Sequence, residues 1–588
     1  MLRILWRISM LKKSPFDNNY FIGYVSHVSP QFVKVHFPSS TLLNKTIFSG
    51  EEFNGGLVGN FVTIEAENSG FIGKISEIDL PERERLALSE KSFQNSDFHP
   101  TAKIEVLLSF DYFDGKAQHT LNAFPNIGAK VFVCPSDFIQ KYVMKFGQKD
   151  DTDVPYIHLG HLTSNLDTEV CVSQQSFFNR HCAIVGTTGG GKSWTVSKLI
   201  ESMVKNKSKV ILLDPTGEYS VIKNGVQSVT LGDSAFYPYQ NLTKEDLFFL
   251  VKPSEGIQKP KLLEAIRSLK AAKIHQEGND EKSSHTLLNV FIDGNNGTIV
   301  KTGKDIKIFE RYQLQNFSKI ESENLEFDIS KLSKQLYNEC VFPTDTNNDK
   351  NYGRLNDRDA NFCYGLISRI NNLASTKVYD NSFNFSGNQN SEYSLTKIIN
   401  EFIDEHQQDK FVLRIGFEDL GYEFQAREIL ANAVGKYLLK LARKKRFKTE
   451  PIVLVVDEAH QFLKKTVVDD FFQSNALSAF DQIAKESRKY GLFLCISTQM
   501  PRDIPIGTLS QMGTFLVHRL INYNDKEAIR QSCSSANSDI LSYLPVLGEG
   551  EAILSGVDFS MPLSIKVSRP IVPPDSSTPK FKIKNDVH

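Results

Sequence analysis

The chain has 588 residues, of which 40% are hydrophobic and 23% are charged. This composition excludes a wholly disordered or collagen-like chain, and the length predicts about four structural units of about 150 residues each. Lys plus Arg (68) and Asp plus Glu (69) nearly cancel to a formal net charge of -1, so any binding to nucleic acid must use a local basic surface.

The N-terminus and the cysteines bear on the location of the protein. Arg3 and Arg7 interrupt a mildly apolar first segment, and no run of about 18 uncharged apolar residues occurs, so we expect neither a signal peptide nor a membrane span. The seven cysteines are dispersed and include no Cys-x-x-Cys pair, which is typical of reduced thiols. We therefore expect a cytoplasmic protein.

The first third of the chain has the pattern of a β-barrel. Short segments of alternating hydrophobicity run from Tyr20 to about Val143, and turn signals such as Gly55-Gly56 and Asp114-Gly115 separate them. They predict a small antiparallel barrel over residues 19–150, after a tail of residues 1–18.

The strands after Phe178 are apolar throughout and lie between helical stretches, which indicates a parallel sheet covered on both faces. We predict a doubly wound α/β core over residues 151–230 and 411–560. The sheet pattern is missing in between, so residues 231–410 are predicted to be an inserted helical domain, with an exposed loop from Asp380 to Tyr393. Residues 561–588 form a C-terminal extension with one strand-like segment, Leu563 to Val567.

A phosphate-binding loop is the strongest motif. Gly186-Thr187-Thr188-Gly189-Gly190-Gly191-Lys192-Ser193 fits G-x-x-x-x-G-K-[ST] and stands between an apolar strand and an amphipathic helix that begins at Trp194. Small residues let backbone N–H groups turn inward and cradle phosphates at a helix N-terminus. Lys192 is expected to reach the β- and γ-phosphates of ATP, and the Ser193 hydroxyl to bind Mg²⁺. The alternative is a glycine-rich turn with an incidental lysine, which the flanking strand and helix disfavour.

An acidic pair supplies what hydrolysis needs beyond phosphate binding. Asp457 and Glu458 follow the apolar strand at residues 452–456. Asp457 is expected to hold Mg²⁺, usually through a water, and Glu458 to polarise the attacking water. Two acids that cap the next helix are the alternative. Together with the phosphate loop, the pair predicts an ATPase.

Three further groups stand at the ends of predicted elements, and each has two interpretations. Asp214, in Asp214-Pro-Thr-Gly-Glu218, either lies at the nucleotide-binding edge of the sheet or caps a plain turn. Gln499 either senses the γ-phosphate or orients water, or it is a satisfied strand-end amide. Arg488 is an exposed cation close to a helix end at Gly491, where cations are favoured in any case.

These motifs, in this order, resemble the HerA family of the HerA/FtsK superfamily over nearly the whole chain. The resemblance rests on residues 179–193, 214–219, 457–460, 487–491, 497–499 and 547–552. It implies a RecA-like P-loop NTPase core with an N-terminal small β-barrel and an inserted helical domain, working as a hexameric, ring-shaped DNA translocase. It also implies that Arg180 and Arg488 act on ATP, one of them across a subunit interface, with Gln499 as sensor. Arg519 is a weaker third candidate, with a surface cation as the alternative.

The expected partners follow from the same resemblance. Family members commonly work with a separately encoded effector, a nuclease or a sirtuin-like NADase, in DNA-end processing or antiphage defence. No zinc-ligand set, nucleophile triad or nuclease carboxylate cluster is evident in the sequence, so any cutting of DNA must come from another chain. The basic stretches at residues 252–273 and 443–448 are candidates for contact with DNA phosphates, with solvated surface cations as the alternative.

Two hypotheses therefore stand. The first is a Mg²⁺-dependent ATPase that forms a homohexamer, moves along double-stranded DNA and cooperates with an effector docked on the barrel side. The second is a nucleotide-gated oligomeric scaffold that assembles and activates the effector without translocation. Both use the same ATP site, and they differ in whether duplex DNA stimulates hydrolysis.

Overall fold

The computed structural model describes residues 14–576 apart from 31, 49–50, 55–57, 68, 83–96, 112–116, 119–123, 136, 140–153, 165, 167, 278–287, 295, 405–408, 422, 464–476, 534–537 and 560–561. The predicted turns at Gly55-Gly56 and Asp114-Gly115 and most of the predicted tail lie outside the described residues. The chain divides into two compact units. Unit 1 comprises Met1–Asn206, Cys495–Arg502 and Ile506–Pro573, and unit 2 comprises Lys207–Leu494, Asp503–Pro505 and Pro574–His588.

The N-terminal part of unit 1 is a closed antiparallel barrel. Its strands are β1 (Phe21–Val28), β2 (Val33–His36), β5 (Phe61–Glu65), β6 (Ser69–Asp79), β7 (Thr101–Asp111), β8 (Ala117–Gln118) and β9 (Lys130–Val133), and β3 (Lys45–Phe48) and β4 (Glu51–Asn54) form a separate hairpin. The order is β2-β1-β9-β5-β6-β7, and the pairing of β2 with β7 closes a ring of six strands. Inward side chains such as Val33, Phe71 and Ile104 fill the interior, as the alternation predicts.

The α/β part of the chain contains the other strands: β10 (Tyr156–Leu162), β11 (Glu169–Ser173), β12 (Cys182–Val185), β13 (Lys209–Asp214), β14 (Val226–Thr230), β15 (Val412–Gly416), β16 (Ile452–Val456), β17 (Leu492–Thr498), β18 (Thr514–Val517), β19 (Glu551–Gly556) and β20 (Leu563–Val567). In unit 2 the order is β16-β13-β15-β14, and every pairing is parallel. The sequence predicts three of these four strands; it does not predict β14, in which three of the five residues are polar and no apolar run occurs.

The sheet of unit 1 differs from the prediction of a parallel sheet. Its order is β11-β10-β20-β19-β18-β12, followed by residues 495–498 of β17, and only β12 pairs in parallel with its neighbours β17 and β18. The other four pairings are antiparallel. Of these antiparallel strands, β20 was expected. The strands β10 and β11 bury residues on alternate positions and so lack a continuous apolar run.

The described helices fall into three groups in chain order. Before the insertion lie α1 (Gln174–Phe178) and α2 (Lys192–Lys205). Between β14 and β15 lie α3 (Lys244–Val251), α4 (Gln258–Glu277), α5 (Ile306–Gln315), α6 (Phe317–Ile320), α7 (Leu332–Asn338), α8 (Asp357–Ser375), α9 (Lys377–Phe383) and α10 (Leu395–Asp404). After β15 come α11 (Ala426–Arg443), α12 (Ala479–Glu486), α13 (Ile506–Leu509), α14 (Tyr523–Ser532) and α15 (Ser538–Tyr543). The helical insertion and the RecA-like α/β class are thus confirmed.

One predicted loop is wrong in part. The segment from Asp380 to Tyr393 begins inside α9, which ends at Phe383 with Asn384 in the left-handed conformation. The rings of Phe383 and Phe385 stack with centroids 5.1 Å apart, and both side chains are buried. These two aromatic anchors outweigh the polar residues around them, so only the later part of the segment is exposed.

Candidate functional site

The phosphate loop has the backbone geometry that its sequence predicts. Gly191 has a φ of 107° and caps α2, and a Cβ on it would lie 2.8 Å from Gly550 Cα. A Cβ on Gly186 would lie 2.5 Å from His518 Cβ. Glycine is therefore required at both places by close approach, and at Gly191 also by the left-handed backbone. The loop ends on the N-terminus of α2, where unpaired N–H groups and the helix dipole favour an anion.

Lys192, the first residue of α2, is buried, and its Nζ donates a hydrogen bond to Thr187 O at 3.3 Å. Its charge therefore sits at the loop itself, where it can serve a triphosphate as a point charge. Ser193 and Trp194 are half-buried in the same first turn of α2, and the guanidinium of Arg569 lies 5.5 Å from the centroid of the Trp194 ring.

Gln499 and Arg519 both contact the phosphate loop within unit 1. The Thr188 hydroxyl donates a hydrogen bond to Gln499 Oε1, so this strand-end amide touches the loop directly. Arg519 O accepts hydrogen bonds from Thr187 N (2.9 Å) and Thr187 Oγ1 (3.1 Å), and the side chain of Arg519 is half-buried with its Nε fully enclosed. The backbone of Arg519 thus supports the loop, and both interpretations of its half-buried side chain stay open.

The acidic pair ends β16 in unit 2. Asp457 and Glu458 are buried, and Asp457 N donates to Leu213 O of β13 at 3.1 Å. Glu458 adopts a φ of 43° and a ψ of 45°, an uncommon backbone for a residue with a side chain, and its Oε2 lies 3.2 Å from His460 Nδ1. Strain of this kind costs about 1–3 kcal/mol and clusters at functional sites. Within the described residues that follow, Glu458 precedes a three-residue 3₁₀ turn (Ala459–Gln461) and does not cap it through its side chain.

Asp214 is engaged within its own unit. Its carboxylate accepts hydrogen bonds from Gly217 N (2.9 Å), Tyr219 N (3.1 Å) and Arg414 Nε (2.7 Å). Arg414 is fully buried and also donates to Glu418 Oε1 at 2.7 Å. These contacts favour the interpretation of Asp214 as a turn-capping residue over a direct role with nucleotide. The role of Arg414 was not evident from the sequence, because Asp214, to which it donates, lies 200 positions away in the chain.

Arg414→Ala is expected to lower the free energy of unfolding by about 3–5 kcal/mol, because it leaves the buried Asp214 carboxylate without its counter-charge. The matched control is Arg446→Ala, whose ion pair with Asp404 is exposed and is worth about 0–1 kcal/mol. Urea unfolding followed by circular dichroism measures both losses. Equal losses in the two variants would contradict a structural role for the Asp214–Arg414 pair.

The other predicted arginines differ in exposure. Arg180 has its Nε 3.6 Å from Asp558 Oδ2, which holds it on unit 1. Arg488 is exposed, in the 3₁₀ turn (Ser487–Tyr490) that follows α12 and ends at Gly491. A second subunit can reach an exposed guanidinium such as that of Arg488. The Arg180 guanidinium is less available to a second subunit, because it is close to a carboxylate of its own unit.

The two basic stretches differ in how many of their cations pair with carboxylates. In the stretch 252–273, Lys259, Lys261, Arg267 and Lys273 each pair with a glutamate, and Lys270 is buried against Ser322. Burial lowers the pKa of Lys270 to about 8. Arg443 and Arg446 pair with Glu486 and Asp404. The structure thus favours ordinary surface cations over a DNA track in the stretch 252–273, whereas Lys444, Lys445 and Lys448 of the second stretch are exposed and leave both interpretations open.

One group of potential metal ligands that the described residues bring together was not indicated by the sequence. His158 on β10 and Glu169 and Cys171 on β11 bring their donor atoms within 4.8 Å of one another, since His158 lies directly opposite Cys171 in the antiparallel register. Burial raises the pKa of the Cys171 thiol, and burial also lowers the pKa of His158. Because a metal binds the ionised thiolate, a thiol that resists ionisation is a poor ligand, so we assign no metal to this group.

Family models match most of the α/β part of the chain. The model described as the central domain of helicase HerA matches residues 157–415, and the model described as the helicase HerA-like C-terminal domain matches residues 447–582. The chain belongs to the HerA family. It is accordingly a nucleotide-binding, helicase-like ATPase of the DNA-translocase class, as its motifs predict.

Individual relatives of this HerA-family chain are distant in sequence. The probable helicase MJ1565 of Methanocaldococcus jannaschii is 23% identical over 567 residues, which cover 94% of this chain and 91% of the relative. The probable DNA double-strand break repair helicase HerA of the same organism is 24% identical over 432 residues, 70% of this chain and 76% of the relative. The solved structure of the bacterial conjugative coupling protein TrwB aligns with a TM-score of 0.41 at 12% identity and covers 75% of this chain and 93% of TrwB.

We find no candidate for a membrane-spanning segment among the described helices of this HerA-family chain. None of them combines the length and the apolar character that crossing a bilayer requires.

Proposed function

We propose that this chain hydrolyses Mg²⁺-ATP to move along double-stranded DNA as a homohexamer, in cooperation with a separately encoded effector. The observation that carries the proposal is the phosphate loop. Its glycine geometry, its buried Lys192 and its contact with Gln499 together form the arrangement that binds a triphosphate and responds to its γ-phosphate.

The donor set fits magnesium. Ser193 and Asp457 offer hydroxyl and carboxylate oxygens, the hard ligands that Mg²⁺ prefers. In the proposed site both residues bind the ion, which neutralises charge on the β- and γ-phosphates. The residues Gly186, Thr187, Thr188, Gly189, Gly190, Gly191, Lys192 and Trp194 bind the nucleotide.

The proposed catalytic residues divide by role. Glu458 polarises the attacking water, and its buried position beside His460 supports that assignment. Gln499 senses the γ-phosphate through Thr188. Arg488, which is exposed, acts on ATP across a subunit interface, and Arg180 acts from within its own subunit. Asp214 holds the turn after β13.

The effector is proposed to dock on the barrel side, over residues 19–150. Tyr24 on β1 and Ile127, just before β9, are exposed apolar side chains on neighbouring parts of the barrel, and Tyr24 pairs with Lys130 at the start of β9. Such a patch suits a protein partner. A nuclease or a sirtuin-like NADase is the proposed partner. The name of the break-repair relative favours DNA-end processing, whereas antiphage defence remains the other setting.

Duplex DNA is expected to stimulate hydrolysis by this protein. Because a translocase contacts phosphates without reading bases, the stimulation should not depend on sequence. DNA affinity should also fall by about 10³-fold between about 50 mM and 200 mM salt, if about six phosphates are contacted. Coupled ATPase assays with duplexes of unrelated sequence, and electron microscopy of the purified protein, measure the stimulation and the ring.

Two results would contradict this expectation in different ways. A hydrolysis rate indifferent to DNA, with effector assembly intact in Glu458→Gln, would favour the scaffold hypothesis. A monomer under all nucleotide conditions would exclude both hypotheses.

A further inference from the structure

The segment Leu547-Gly-Glu-Gly-Glu-Ala552, which we call the backing turn (residues 547–552), has no role in the proposed chemistry. It lies between α15 and the body of β19, in unit 1. Two hydrogen bonds between residues of the backing turn stabilise its conformation. Gly548 N donates to Glu551 Oε2 at 2.8 Å, and Glu551 N donates to Gly548 O at 3.1 Å.

The backing turn is packed against the phosphate loop. Gly550 N donates a hydrogen bond to Gly190 O at 3.2 Å, and Gly550 Cα leaves no room for a Cβ on Gly191. On its other side, Gly550 O accepts a hydrogen bond from Val567 N of β20 at 2.9 Å. The carbonyl of Gly190 is therefore held by the backing turn, which is itself held by β20.

A second connection runs through His518, which is fully buried behind the phosphate loop. Its backbone N donates to Val185 O at 2.7 Å. Its Nδ1 lies 2.9 Å from Glu551 O, and its Nε2 lies 2.9 Å from Thr195 Oγ1. A carbonyl oxygen can only accept, so Nδ1 carries the proton, and Nε2 accepts from the Thr195 hydroxyl. Burial, with a smaller contribution from the charge of Lys192, lowers the pKa of His518 to about 4, so the ring is neutral near pH 7.

We propose that the backing turn and His518 are a positioning element for the phosphate loop: the buried hydrogen-bonded series from Glu551 O through His518 to Thr195 holds the first turn of α2 at the orientation that binds ATP. This inference rests on the proposed function, since it assigns a cause to the affinity of the same site. The physical reason is that the first N–H groups of α2 serve phosphate only if their directions are fixed before binding. Thr195 Oγ1 also lies 3.1 Å from Gly191 O, and because a hydroxyl has a single proton, this carbonyl shares it with His518 Nε2.

The test removes one atom of the series. Thr195→Val keeps the shape of the side chain and deletes its hydroxyl. We expect the KM for ATP, and the Kd for a fluorescent ATP analogue, to rise about tenfold, equal to about 1.4 kcal/mol, while kcat changes less than about twofold. Thr195→Ser restores the hydroxyl and should return both constants to within about twofold of the wild type.

The matched control is Thr63→Val in the barrel of the same unit. Thr63 is also fully buried, and its hydroxyl donates to Pro15 O at 2.9 Å, so this variant loses a comparable hydrogen bond away from the loop. It should unfold at a lower temperature than the wild type and keep the wild-type KM. His518→Asn is the second variant: it retains a donor towards Glu551 O, loses the contact with Thr195, and should raise KM as Thr195→Val does.

The outcomes separate the inference from the proposed function. Wild-type ATP binding with an unchanged KM in Thr195→Val would overturn the inference alone. If Thr195→Val and His518→Asn both failed to fold while Thr63→Val folded, the hydrogen-bonded series would serve stability only. That result would also overturn the inference. Wild-type protein that takes up no nucleotide would overturn the proposed function and the inference together.

Discussion

Lys192→Ala is expected to abolish nucleotide binding and hydrolysis. The Lys192 ammonium is buried at the start of α2 and donates a hydrogen bond to the backbone of the loop, so its charge is held at the phosphate position. A charge-assisted hydrogen bond to phosphate in an enclosed site is among the stronger contacts that proteins make. We expect the affinity for ATP to fall by at least about 10²-fold and the ATPase rate to fall below detection.

Lys198→Ala is the control for that variant. Lys198 lies two turns further along the same helix and pairs with Glu201 at 2.8 Å, so its removal changes the charge of α2 equally without touching the loop. Titration calorimetry with ATP and a coupled ATPase assay measure both variants. Retained ATP binding in Lys192→Ala, or an equal loss in Lys198→Ala, would contradict the assignment of the loop as the phosphate site.

Glu458→Gln is expected to separate binding from hydrolysis. The amide keeps the size of the side chain but cannot accept a proton from the attacking water, and positioned general bases contribute about 10²–10⁴-fold to rate. The hydrolysis rate should therefore fall by that factor while ATP affinity stays within about threefold of the wild type. ATP should remain bound and unhydrolysed, which single-turnover assays with radiolabelled ATP measure directly.

The control for Glu458→Gln is Glu450→Gln, which changes an exposed carboxylate just before the same strand, β16. Glu450 pairs with Lys209 at 3.2 Å and has no proposed contact with nucleotide. It should leave the hydrolysis rate unchanged. If Glu458→Gln retained the wild-type rate, another group would be the base, and the assignment of the acidic pair would fail.

The chemistry of the candidate site was largely predictable from the sequence because its motifs are local. The glycines of the phosphate loop, the lysine that follows them and the acidic pair after β16 each depend on backbone directions within a few residues. The fold class was predictable for a related reason, since continuous apolar strands and helical periodicity indicate which elements are buried on both faces.

Contacts between residues that are distant in the sequence were not predictable. Asp214 was a candidate for nucleotide contact until the structure placed Arg414 against it, and nothing in the local sequence indicated that the Arg519 carbonyl would accept a hydrogen bond from Thr187 N. His518 gave no signal of its own, because a lone histidine after an apolar strand has many possible environments. The strands β10 and β11 were missed because exposed or half-buried residues interrupt their buried ones, so neither contains a continuous apolar run.

By itself, then, the sequence determined that this chain binds and hydrolyses a nucleoside triphosphate on an α/β core, since that chemistry is written in short, contiguous motifs. Only the tertiary structure decided which side chains support the motifs: the Arg414 counter-ion of Asp214, the histidine behind the phosphate loop and the glycine turn that backs it. The reason is physical. Contacts between residues hundreds of positions apart depend on how strands pair and close, and pairing leaves almost no trace in the local order of residues.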